Sequence, residues 1–183
     1  YLCVGLFKNT RLIFPTYFIL YSSGFLCSLL FRPQKSSEFS YLKKTKKEIS
    51  GSDFLGNILD TSIMNGFETI TKLGGYILIF SILQGISSIA LRSFPTLGYF
   101  LQGITEITTG NAALSKASWS FDLLYPLILA FTSFGGLSVA AQTKSMLADT
   151  DLPFSSYLKG KICNFFCTFA IAFCLVKIVK VII

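Results

Sequence analysis

Uncharged apolar runs, each closed by a basic residue, alternate with short polar stretches along this chain. Leu12 to Phe31 ends at Arg32 and Pro33, Leu73 to Leu91 ends at Arg92, Leu123 to Thr143 is followed by Lys144, and Ile162 to Val176 lies between Lys161 and Lys177. A helix needs roughly 20 apolar residues to cross a hydrocarbon core about 30 Å thick, and only internally hydrogen-bonded backbone is tolerated there. The pattern predicts four membrane spans, with the stems of Lys161 and Lys177 snorkelling to the interfaces. The expected fold class is all-α, a polytopic transmembrane helical bundle with broken or re-entrant helices.

Two segments depart from a simple span. Thr96 to Ser115, TLGYFLQGITEITTGNAALS, is long and apolar enough to enter the membrane, yet carries Glu106 and the glycines at 98, 103 and 110. It reads as a re-entrant or broken helix, a backbone allowed at membrane depth only where protein or a water-filled cavity surrounds it. The alternative is a loop on the surface. In Ser133 to Thr143, SFGGLSVAAQT, the paired Gly135 and Gly136 cost helix stability and permit a break or close backbone approach, while Ser138 and Gln142 fall one turn apart on one face. Ahead of the second span, Phe54, Ile58, Ile63, Phe67 and Ile70 recur at near-helical spacing, which predicts an amphipathic interfacial helix over 53–72. Packing against neighbouring spans is the other reading of that face.

Composition supports lipid as the solvent. Of 183 residues, 52% are hydrophobic and 14% charged, where soluble domains carry about 25% charged residues; mean hydropathy is +0.62. The formal charge of +7 is concentrated between the first two spans, where Arg32, Lys35, Lys43, Lys44, Lys46 and Lys47 face only Glu38 and Glu48. Beside membrane spans such a stretch reads as a cytoplasmic loop near anionic lipid, not a nucleic-acid patch. The first span then runs outside to inside, the second inside to outside, and 144–161 returns to the cytoplasm if 96–115 is re-entrant. Tyr1 in place of Met reads as a fragment, a processed product or an incomplete gene. Leu12 to Phe31 exceeds a secretory h-region and meets basic residues where a cleavage site belongs, so it is kept as a span.

The chain has no histidine, so a Ser-His-Asp triad, a Cys-His dyad and His-ligated zinc are excluded within it. There is no GxxxxGK[ST] and no GxGxxG to cradle a nucleotide. Cys27, Cys163, Cys167 and Cys174 lie in apolar runs, where cysteine packs as a small hydrophobe; Cys163 and Cys167 share a helix face. No catalytic residue, metal ligand or cofactor is expected.

The chemistry-bearing residues fall in the two interrupted segments. Thr105, Glu106, Thr108, Thr109 and Asn111 put a carboxylate, three hydroxyls and an amide within seven positions, and Gly135, Gly136, Ser138 and Gln142 form the second group. A carboxylate at membrane depth has to be protonated, paired or facing water. Exchange of a proton or sodium ion there couples movement to a gradient, and half-helix ends made by breaks present backbone groups to ions. The alternatives are a Glu106 that pairs structurally with a lysine elsewhere and glycines that only let helices pack.

NGFETITKLGGYILIFSIL, LQGITEITTG and LILAFTSFGGLSVAAQTKSML, in this order and spacing, resemble the C-terminal half of the sporulation integral membrane protein family of the YlbJ type, over about 53–157. That family carries a nucleoside-recognition Gate domain similar to part of concentrative nucleoside transporters. The resemblance implies two regions: 1–52 as first span and basic loop, and 53–183 as a Gate-like transmembrane domain. It also implies a bacterial membrane, that around the developing spore, and a transporter-like protein passing a small anion, with dipicolinate the cargo proposed for the family. Site elements would map onto Glu106, Thr108, Thr109, Gly135, Gly136 and Ser138. Family members are about twice this length, so the expected partners beyond lipid and a small anionic substrate are a missing N-terminal half, a second Gate-domain chain or another copy. Ala140 stands where a more polar residue is expected. A non-transporting scaffold or partner subunit is the competing function.

Overall fold

The computed structural model describes residues 2–31, 54–147 and 152–182. The basic stretch from Arg32 to Glu48 and the boundary at 52 lie outside the described residues. After a short π-turn at Leu2–Leu6 and a 3₁₀ turn at Thr10–Leu12, the described chain forms α1 (Ile13–Leu30), α2 (Phe54–Ala90), α3 (Pro95–Thr105), α4 (Ile107–Leu114), α5 (Phe121–Phe134), α6 (Gly136–Met146) and α7 (Phe154–Ile182). No strand occurs among the described residues. Among the described residues, four helices or helix pairs are long and apolar enough to cross a membrane, over Thr10–Leu30, Gly56–Ala90, Phe121–Met146 and Phe154–Ile178. They match the four apolar runs of the sequence.

The amphipathic segment and the second span are one helix. α2 has 37 residues, about 55 Å at 1.5 Å per residue, so it outreaches the bilayer core. Residues 56–73 are exposed, and Glu68 pairs with Lys72 at 2.6 Å on that outer surface. The interfacial helix expected over 53–72 therefore continues into the membrane without a bend of its own.

Thr96 to Ser115 is a helical hairpin, not a surface loop. α3 starts on Pro95, whose ring suits a first helical turn, and the chain reverses at Glu106, the one extended residue between α3 and α4. Tyr99 and Trp119 meet edge to face at the open end, with centroids 6.2 Å apart. Near the tip, α4 lies so close to α3 that a Cβ on Gly110 would stand 2.4 Å from the Gln102 carbonyl oxygen. The two legs therefore enter and leave on one side.

α5 is the centre of the bundle, buried from Leu124 to Phe131. Lipid tails are as apolar as leucine, so van der Waals fit and interhelical hydrogen bonds decide which helices touch. α7 runs antiparallel along α5 and α1. Thr16 Oγ1 lies 2.9 Å from Tyr125 Oη, Thr168 donates to Ser23 at 2.9 Å, and Lys177 lies 3.6 Å from Asp122. On α1 the buried positions are Thr16, Ile19, Ser23 and Cys27, a helical stripe facing these partners. Thr168→Val is expected to weaken the α1–α7 contact by about 0.6 kcal/mol, and by no more than about 1.7, the range of interhelical hydrogen bonds in a membrane. Thermal unfolding in detergent measures it.

The end of α6 returns beside Lys72, Leu73 and Tyr76 of α2, so the loop after α6 and the start of α2 share a side with the end of α1. By the positive-inside rule, the basic sequence following α1 makes that side the one expected to be cytoplasmic.

Candidate functional site

The two interrupted segments meet break to break. α5 stops at Gly135 and α6 restarts at Gly136, with φ of 89° and 77°; both lie in the left-handed region open to glycine. A Cβ on Gly136 would stand 3.2 Å from the carbonyl oxygens of Ile104 and Thr105 and 3.3 Å from Cα of Glu106. The tip of the hairpin thus presses against the gap in the α5–α6 span. The N-termini of α4 and α6 converge there, each a source of partial positive charge.

Glu106 is 2% exposed and caps α4. Its Oε1 accepts from the Thr108 N–H at 3.0 Å, and its Oε2 accepts from the Thr109 N–H at 2.8 Å. Thr109 Oγ1 lies 2.7 Å from Oε2 and also contacts Gln84 Oε1. Of the resolutions open to a carboxylate at membrane depth, this one uses the donors of a helix's first turn, which need an acceptor in any case. α6 differs, for no side chain caps its N-terminus.

Gln84 was not legible as a site residue. It projects from α2, is 5% exposed, and its Nε2 donates to the Gln102 carbonyl at 3.0 Å. That bond orients the amide with Oε1 toward Thr109. The only signal in the sequence was an uncharged amide within an apolar span.

Proton counting gives this array two settings. A hydroxyl carries one proton, so Thr109 serves Glu106 or Gln84 at any instant. With Glu106 ionised, Thr109 donates either to it or to Gln84 Oε1, but not to both. With Glu106 protonated, its O–H donates to Thr109, Thr109 donates to Gln84, and Gln84 donates to the Gln102 carbonyl. A proton on Glu106 thereby favours the Thr109–Gln84 bond, one of the two contacts of Gln84 with the hairpin.

The remaining candidates scatter around this centre. Asn111 is 1% exposed; its Nδ2 donates to Thr132 Oγ1 at 3.0 Å while its Oδ1 is buried without a partner. Thr105 turns its hydroxyl back to the Leu101 carbonyl at 2.7 Å, within its own helix. Thr108 adds its N–H. Ser138 is buried and accepts from Gln142 Nε2 at 3.2 Å, as their one-turn spacing requires. Gln142 also borders a crevice of about 10 Å³ against α2. Lys161 does not snorkel outward. It is half-buried and donates to the Ser133 carbonyl at 3.1 Å, placing a cation at the C-terminal end of α5.

Larger cavities, of about 490, 470, 370 and 250 Å³, lie on predominantly apolar faces, and none touches Glu106. The described residues around the polar centre come from α2, α3, α4 and α6.

The chain is similar to a sporulation protein. Sporulation integral membrane protein YlbJ of Bacillus subtilis (strain 168) is 28% identical over 126 residues, covering 59% of this chain and 31% of that protein. This chain thus spans about a third of the length of the curated relative it matches. No family model matches the chain, and no solved structure does. With four membrane-crossing helices and this relative, the protein is an integral membrane protein.

Proposed function

We propose that this protein is a permease-like membrane transporter of the Gate type, passing a small organic anion of the dipicolinate class during sporulation. The observation that carries the reading is the meeting of two helix breaks around a buried carboxylate. Discontinuous helices at membrane depth characterise transporter sites, where half-helix N-termini attract anionic groups. The uncapped start of α6 and the unpartnered Asn111 Oδ1 are the free polar groups beside that break. The similarity to a sporulation protein supports the setting.

Glu106 is the coupling group in this reading. Protonation brings Thr109 and Gln84 into one hydrogen-bonded relay, and loss of the proton frees Thr109 from Gln84 Oε1 while the bond from Gln84 to the Gln102 carbonyl stays. In this reading the opposite wall of the site comes from further protein, either a longer form of this chain, a second Gate-type chain or another copy. No chemical conversion of the cargo is proposed.

The test is flux. Vesicles loaded with dipicolinate and containing this chain, alone or reconstituted with a second Gate-type chain, are expected to release it faster than protein-free vesicles and with saturation. Release that needs the second chain assigns this one the role of half a site. Release at the protein-free rate in both preparations removes the transport reading and leaves a scaffold.

A further inference from the structure

The fold brings Cys27 to Cys163 and Cys167, a pair one helical turn apart that the sequence places more than 130 positions away from it. Cys27 near the end of α1 is buried, and Cys163 and Cys167 on α7 are half-buried. Their sulfur atoms all lie within 4.8 Å of one another, with Cys163 and Cys167 4.0 Å apart. The register is held one turn away by the bond from Thr168 to Ser23. None of the three is in a disulfide.

We propose that these thiols form a three-sulfur site for a soft monovalent d¹⁰ cation of the Cu(I) class, clipping α1 to α7. A metal held at about 2.3 Å from each of three sulfurs in a plane places them about 4.0 Å apart. The Cys163–Cys167 pair already has that spacing, and the other contacts need to close by less than about 1 Å to reach it. Thiolates without nitrogen or oxygen partners select soft ions such as Cu(I) and Zn(II). Structural zinc takes four protein ligands, whereas three suffice for Cu(I), and the described structure supplies three. The site lies one turn from Leu30, where α1 ends and the basic stretch begins. The cytoplasmic side assigned to that stretch is reducing, which keeps the thiols free to bind. Coordination exchanges thiol protons for the metal and releases them to water, leaving sulfur at the same oxidation state.

Anaerobic titration of the reduced full chain in detergent, with Cu(I) supplied from a coloured chelator, tests the site. The expected result is one Cu(I) withdrawn per chain, with X-ray absorption counting three sulfur neighbours. Cys27→Ser is expected to weaken binding roughly a hundredfold, since removing even an outer-shell partner costs about 10–100-fold. Cys174→Ser, on an exposed position, leaves it unchanged. Circular dichroism and elution volume of Cys27→Ser and Cys27→Ala separate lost binding from lost fold. The proposal is overturned if no Cu(I) leaves the chelator, if a folded Cys27 variant binds as well as the parent, if two sulfurs are counted, or if Zn(II) displaces Cu(I).

Discussion

Gly110→Ala is expected to dislodge the α3–α4 hairpin and to lower stability more than any other single-methyl change at the polar centre. The added Cβ would stand 2.4 Å from the Gln102 carbonyl oxygen and 2.8 Å from the Gln102 carbonyl carbon and Gly103 Cα. These obstacles are backbone, so no rotamer change clears them. Overpacking against side chains costs about 1–3 kcal/mol, and a backbone clash in a hairpin also held by α2 and α6 belongs at or above the top of that range. The displaced hairpin takes Glu106, Thr109 and the contact with Gln84 with it. Thermal unfolding in detergent reads the loss, and Gly66→Ala is the comparison. Gly66 lies in exposed α2 with nothing within 4 Å of a built Cβ, so alanine there is expected to be neutral or stabilising by up to about 1 kcal/mol. Equal melting temperatures for the Gly110 variant and the parent would discard the close-packed hairpin.

Glu106→Gln separates the two tasks of that side chain. As a cap, glutamine offers one carbonyl to the N–H groups of Thr108 and Thr109 and turns an NH₂ toward the other, so α4 loses part of its acceptor pair. Losing a helix cap costs about 0.5–2 kcal/mol, which corresponds to roughly 2–4 °C for each kcal/mol in a chain of this size. As the proposed coupling group, it can no longer take up or release a proton, and dipicolinate release from vesicles is expected to fall to the protein-free rate. A variant that melts a few degrees lower yet releases cargo at the parental rate would confine Glu106 to capping. Glu106→Asp retains the charge but shortens its reach to Thr109, and is expected to keep part of the flux.

The four spans were legible because apolar runs of membrane length have few other uses, and the break at TEITTGN because glutamate and glycine there contradict a plain span. Less visible was which glycine pair interrupts a helix. Gly74-Gly75 and Gly135-Gly136 are the same dipeptide in similar apolar surroundings, yet α2 runs straight through the first. Around Gly74 and Gly75 a built Cβ would meet nothing within 4 Å, whereas Gly136 faces the carbonyls at the hairpin tip. A distant segment decides the matter, and local pattern carries no trace of it. The same holds for Gln84, whose importance depends on reaching the hairpin across 18 positions to Gln102. Cys27 likewise joins Cys163 and Cys167 only through the antiparallel register of α1 and α7. Lys161 was read as an interface anchor because a lysine ending an apolar run usually is one; the end of α5 gave it a nearer acceptor.

The hairpin's shortness imposes an order on biogenesis. Its legs have 11 and 8 residues, about 16 and 12 Å at 1.5 Å per residue, so neither can be handed to lipid as a spanning segment. Its tip is stabilised by groups from α2, already made, and from the α5–α6 gap, which leaves the ribosome later. Until Gly136 has emerged, Glu106 has only half of its enclosure. The enclosure of Glu106 is therefore completed only once the α5–α6 segment has been made, after the hairpin itself.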